Sequence, residues 1–159
     1  IWMAKEYLDV DADVSIYNSG GLRAEISAGN LTVGDVYAVY PFDNLLSIVT
    51  MSGSDLKTLF NYVASSGGLP VNSGVKLVIK NNKVQSVTVN GKAIDNSKTY
   101  TVATIDYLVE LKRYGFENAR SRSDAPEIIR DYFVEYYRHL AARHGGKITA
   151  STDGRVTVQ

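Results

Sequence analysis

The sequence predicts an α+β (mixed α/β) domain, and three observations carry that prediction. Strand-length segments such as Val75–Lys80 and Lys83–Val89 place apolar residues at alternate positions. Other segments space apolar residues as a helix does and open on a capping signature, as where Ser52-Gly53-Ser54-Asp55 precedes Leu56, Leu59, Phe60 and Val63. The pairs Asn81-Asn82 and Asn90-Gly91 tolerate the positive φ of tight hairpin turns, so hairpins stand beside helices in one layered domain.

In chain order, Ile1 to Leu8 reads as a segment that begins within a helix, which marks the chain as a fragment or processed product truncated at its N-terminus. Residues 13–18 alternate, with Val14 and Ile16 on one face, and run into Ser19-Gly20-Gly21, so a strand should end in a glycine-rich loop. Thr32-Val33-Gly34-Asp35 has the form of a capping box and predicts a short helix that stops before Pro41. Residues 45–51, rich in Leu, Ile and Val, are expected as a strand, and the helix after Ser52 should end at Ser66-Gly67-Gly68. After the Asn81-Asn82 hairpin, residues 99–104 predict a strand and residues 105–114 a helix. Asp124, Pro126 and Glu127 predict a further helix over 124–143, with Ile129, Phe133, Tyr136 and Leu140 on one face up to Gly145-Gly146. A closing strand or hairpin is expected from residues 147–149 and 155–158 around Asp153-Gly154.

At 159 residues the chain is read as one domain, residues 1–159, long enough to bury a core without covalent staples. Lys+Arg and Asp+Glu number 17 each, so the basic footprint of a nucleic-acid module is missing. The absence of Cys excludes disulfides, thiolate metal sites and a Cys nucleophile. His139 and His144 are the two histidines; five residues apart on a helix, they point about 140° away from each other and suit a surface better than a shared metal. No stretch approaches the apolar length of a membrane span. The Rossmann, P-loop, zincin and nucleophile-elbow signatures are missing, and Asn30-Leu31-Thr32 fits a glycosylation tripeptide whose Thr32 is already explained as a helix cap.

The segment Tyr17-Asn18-Ser19-Gly20-Gly21-Leu22-Arg23-Ala24 is the most informative. Adjacent glycines let backbone N–H groups approach an oxyanion, Asn18 offers a donor and an acceptor, and Arg23 offers a bidentate fork to phosphate or carboxylate. Alone, this is also what a glycine turn with a surface Arg looks like. Downstream come Leu31-Thr32-Val33-Gly34-Asp35, Tyr40-Pro41-Phe42-Asp43-Asn44, Met51-Ser52-Gly53-Ser54-Asp55-Leu56 and Tyr100-Thr101-Val102-Ala103-Thr104-Ile105-Asp106-Tyr107. In that order these resemble the C-terminal domain of the 5'-nucleotidase, UDP-sugar hydrolase and 2',3'-cyclic phosphodiesterase family, and the likeness spans essentially the whole chain.

The resemblance implies a substrate-recognition domain that works with a separate metallophosphatase domain or subunit carrying two divalent metals. It implies no catalytic or metal-ligating residue in this chain, and a nucleotide or nucleotide-sugar ligand. By the resemblance, the base stacks between Phe42 and Tyr107, Arg23 contacts phosphate or ribose oxygens, and Asn18 meets a polar edge of the ligand beside Gly20 and Gly21. Aromatic residues more often pack in cores, but Pro41-Phe42 is flanked by polar Asp43 and Asn44, which favours the ligand role. Asp106, Lys112 and Arg113 are further candidates. A periplasmic or cell-surface location also comes from the resemblance alone.

Two departures bear on the ligand. Where the family has a Gly-Gly-Asp-Gly-aromatic segment whose Asp accepts hydrogen bonds from the ribose hydroxyls, this chain reads Leu111-Lys112-Arg113-Tyr114-Gly115-Phe116. Lys and Arg have no acceptor, so a preference for a more anionic ligand, or loss of nucleoside specificity, is expected. An upstream family Arg has no counterpart in residues 1–17. The alternatives are a stand-alone nucleotide-binding module and a degenerate structural domain.

Overall fold

The computed structural model describes residues 1–111 and 114–159. The chain opens with helix α1 (Trp2–Leu8) and a two-residue strand β1 (Val14–Ser15), then α2 (Val33–Val39), β2 (Leu45–Ser52) and α3 (Gly53–Ser65). Strands β3 (Val75–Lys80), β4 (Lys83–Val89), β5 (Lys92–Ala93) and β6 (Thr99–Ile105) follow. The last elements are α4 (Asp106–Glu110), β7 (Ser121–Ile128), α5 (Ile129–Arg143) and β8 (Val156–Val158).

These strands form two mixed four-stranded sheets, ordered β1-β6-β2-β7 and β5-β4-β3-β8. In the first, β1 runs parallel to β6, while β2 lies antiparallel to both β6 and β7. In the second, β3 is antiparallel to β4 and parallel to β8. Helix α3 touches β4 of one sheet and β2 and β6 of the other. Its apolar stripe of Leu56, Leu59, Phe60 and Val63 is fully buried and belongs to one continuous core with Val49, Leu77, Ile79 and Val102. No described helix is long and apolar enough to cross a membrane.

The local signals act as their chemistry predicts. Asp35 N–H donates to Thr32 Oγ1 at 3.2 Å while Thr32 N–H donates to Asp35 Oδ2 at 2.8 Å, a reciprocal capping box. Ser52 caps α3 by accepting from Asp55 N–H at 3.2 Å. Asn81 and Asn82 take φ of 51° and 57° between β3 and β4, and Asn90-Gly91 takes 50° and 74° between β4 and β5.

Four expectations are corrected. The strand expected over residues 13–18 is confined to Val14–Ser15, because Tyr17 N–H leaves the sheet to bond Pro70 O at 3.0 Å. The helix expected over residues 105–114 ends at Glu110, and Leu111 is already extended. The stretch 124–128, expected as the start of a helix, is the end of β7, and α5 begins only at Ile129. A proline and two carboxylates imitate a helix start there, but β7 is an edge strand. Between the Leu45–Ile128 and Ser47–Asp124 pairs the register shifts, opening a bulge at Pro126, which has no N–H to give a ladder. No closing hairpin forms: residues 147–149 carry no strand, and Val156–Val158 adds to β3 in parallel, which requires a crossover instead of a tight turn.

Candidate functional site

The topology gathers the candidate residues at one edge of the first sheet. Asn18 follows β1, Tyr107 follows β6, and Phe42 precedes β2. Because β1 is parallel to β6 and Leu46 pairs with Ile105, all three chain ends emerge on the same side. Ligand sites in sheets of this kind favour the carboxyl ends of parallel strands.

Ser19–Gly21 forms a single 3-10 turn in which Gly21 N–H donates to Asn18 O at 3.0 Å and Leu22 N–H to Ser19 O at 3.1 Å. The Gly21 N–H is therefore already engaged. The reason for glycine there is space: a Cβ at position 21 would lie 2.7 Å from Tyr17 Cε1, 2.9 Å from its hydroxyl oxygen and 3.0 Å from Asn18 Oδ1. Gly20 has open surroundings, its nearest neighbour being Asn18 Nδ2 at 3.8 Å. Asn18 Oδ1 is buried with no hydrogen-bond partner among the described residues, an acceptor left with capacity.

Arg23 is tied to the same frame. Its N–H donates to Val39 O at 3.0 Å, its Nη1 to Gly20 O at 3.2 Å, and its guanidinium carbon lies 5.7 Å from the centre of the Phe42 ring. No carboxylate pairs with it among the described residues. Phe42 and Tyr107 are 42% and 44% exposed, so neither ring is a core residue. Asn44 Nδ2 donates to Asp106 Oδ1 at 2.9 Å, and the same oxygen accepts from Tyr107 N–H at 2.7 Å, so the two ring-bearing segments are joined beside the rings. Asp106 is thereby engaged within the protein.

Lys112 and Arg113 lie outside the described residues. Tyr114 and Phe116 flank Gly115, whose φ is +78°, and both are buried. Behind the edge, a cavity of about 760 Å³ is walled by Trp2, Tyr17, Leu22, Tyr40 and Phe133 among others. Asn18, Arg23, Phe42 and Tyr107 are not in its wall, so the candidate site is the open rim and not this cavity. Burial pushes the Tyr17 phenol up to about 12 and raises that of Tyr40 as well. His139 packs its ring 4.8 Å from Trp2, and no three His, Asp or Glu side chains converge as a metal site among the described residues. The family's metals therefore have no set of ligands here, and no chemical step is routed through them.

Sequence reasoning does not single out Asp43, Asn44, Arg122, Asp124 or Arg130, which hold this edge together. Each is an ordinary polar residue in the sequence and acquires its meaning only from its partner in the fold.

A two-sheet α+β domain with an open aromatic rim at its strand ends is also the architecture of part of the 5'-nucleotidase precursor from Thermus thermophilus. The two superpose at TM-score 0.82 with 25% identity, over 98% of this chain and 33% of that one. The chain belongs to the family described as 5'-nucleotidase, C-terminal domain, whose sequence profile matches residues 4–121. A 5'-nucleotidase of Vibrio vulnificus is 35% identical over 100 residues, 60% of this chain and 18% of that protein. The NAD nucleotidase of Haemophilus influenzae matches at TM-score 0.74 and 25% identity over 92% of this chain and 30% of that one. The chain thus spans a third or less of these relatives.

Proposed function

We propose that this chain is the nucleotide-recognition domain of a 5'-nucleotidase-like phosphohydrolase. One observation carries the reading: Arg23, Phe42 and Tyr107 all face solvent along one sheet edge, with cation and ring already adjacent. In this reading the base stacks between Phe42 and Tyr107, worth about 1–3 kcal/mol by analogy with single-strand binding proteins. Arg23 binds phosphate or ribose oxygens, Asn18 offers its unpartnered acceptor to the ligand, and Gly20 and Gly21 keep the loop low enough for approach. Lys112 and Arg113 bias the site toward more anionic ligands. Hydrolysis belongs to a metallophosphatase domain or subunit with two divalent metals, and the assembled protein works in the periplasm or at the cell surface.

Calorimetry with AMP and adenosine tests this. AMP should bind more tightly than adenosine; Phe42→Ala should weaken both about tenfold, and Arg23→Ala should weaken AMP more than adenosine. The chain with Mn²⁺, Zn²⁺ or Co²⁺ should release negligible phosphate from AMP. Robust hydrolysis by the chain alone, or affinities indifferent to both substitutions, would sink the proposal.

A further inference from the structure

The family profile stops at residue 121, and the ten residues from Arg122 to Asp131 that follow reach both sides of the candidate site. On the Phe42 side, Arg130 Nη1 pairs with Asp43 Oδ1 at 2.7 Å and Ile129 N–H donates to Asn44 O at 2.8 Å. The Arg130 guanidinium also covers the Tyr37 ring at 5.1 Å, while Tyr37 OH donates to Asp131 Oδ1 at 2.6 Å. On the Tyr107 side, Arg122 Nη2 reaches Glu110 Oε1 at 3.4 Å at the end of α4. Its Nε donates to Asp124 at 2.9 Å, and that carboxylate accepts from Ser47 Oγ at 2.5 Å. One short segment therefore grips the elements that carry both rings.

We propose that Arg130 is a positioning residue for the base site: through Asp43 and Tyr37 it fixes the Phe42 loop against the Tyr107 segment, with Arg122 bracing the opposite arm. The inference rests on the nucleotide reading above. Arg130 Nε is buried without a partner, so the residue loses part of what its ion pair gains in stability, and its clear consequence is the place of the loop. The rings need that help. Phe42 and Tyr107 are too exposed for core packing to hold them, and a stacking gap tolerates little change in width.

The test uses the whole chain with Arg130→Met and Arg130→Lys, and AMP and ribose 5-phosphate as probes. Removing a partly exposed ion pair should lower the competent population, and so AMP affinity, about fivefold. Ribose 5-phosphate binding should stay unchanged, because it has no base, and Arg130→Lys should recover part of the loss. Amide hydrogen exchange at residues 42–45 should quicken in Arg130→Met with the melting temperature nearly constant. If Phe42→Ala weakens AMP binding and Arg130→Met does not, or if both probes weaken equally, the inference is overturned. If the unaltered chain binds no AMP, the nucleotide reading fails; exchange at 42–45 then decides the bracing separately, and unchanged exchange overturns it.

Discussion

Replacing two adjacent glycines by alanine should have opposite results, and the contrast tests the geometry of the Asn18 loop. At position 21 the new Cβ would lie 2.7 Å from Tyr17 Cε1 and 2.9 Å from its hydroxyl oxygen, well inside van der Waals contact. Tyr17 has little room to retreat, since its ring meets Tyr40 edge-on at 5.8 Å and Phe133 at 6.3 Å, and those two rings stack at 3.8 Å. The third neighbour, Asn18 Oδ1 at 3.0 Å, can turn aside only by moving the group proposed to meet ligand. Overpacking of this kind costs about 1–3 kcal/mol, and a chain of this size loses roughly 2–4 °C of melting temperature per kcal/mol. Gly21→Ala should therefore melt about 4–8 °C lower, near the middle of that range. Gly20→Ala meets nothing nearer than 3.8 Å and does not sit at positive φ, so it should be neutral or gain up to about 1 kcal/mol from a stiffer unfolded chain. Thermal unfolding followed by circular dichroism reads both. A Gly21→Ala protein melting within about 1 °C of the parent, or a Gly20→Ala protein losing as much as Gly21→Ala, would refute the packing argument.

Two further outcomes follow from the same structure. Tyr17 titrates near 12 in the folded protein against about 10 unfolded, so the folded state holds its proton more tightly. The stability this confers is intact below about pH 10 and is lost as pH rises from about 10 to about 12; Tyr17→Phe should remove that part of the alkaline decline in a pH series of unfolding curves. Thr32→Ala opens the capping box of α2 and should lower the melting temperature by about 2–4 °C, the equivalent of about 1 kcal/mol. In the same variant the Asp35 carboxyl, held low by its hydrogen bonds to Thr32, should titrate higher in an NMR series; an unmoved titration would deny the cap.

The contrast between what the sequence does and does not reveal is physical. Capping boxes and Asn-Asn or Asn-Gly turns are local: the partner of Thr32 is three residues away, so spacing alone contains the interaction. Buried strands are nearly as plain, because Val49, Leu77 and Val102 must alternate or cluster to fill a core. The start of α5 is misread because Asp124, Pro126 and Glu127 suit a helix start as well as an edge strand, and only the bulge opposite Leu45 and Ser47 decides between them.

The candidate site divides along the same line. Asn18, Arg23, Phe42 and Tyr107 are readable through motif order, since each sits where a strand meets a loop. What holds them is not, because Asn44 meets Asp106 across 62 positions and Tyr37 meets Asp131 across 94. No periodicity can encode such pairs in one sequence. A recognition site of exposed rings depends on them more than a buried one would: a core ring is held by close packing on every side, whereas Phe42 has solvent on one face and keeps its place through its neighbours' hydrogen bonds and charges. It follows that ligand selectivity in this domain should be most sensitive to substitutions at residues that never touch the ligand, with Asp43, Asn44 and Arg130 foremost among them.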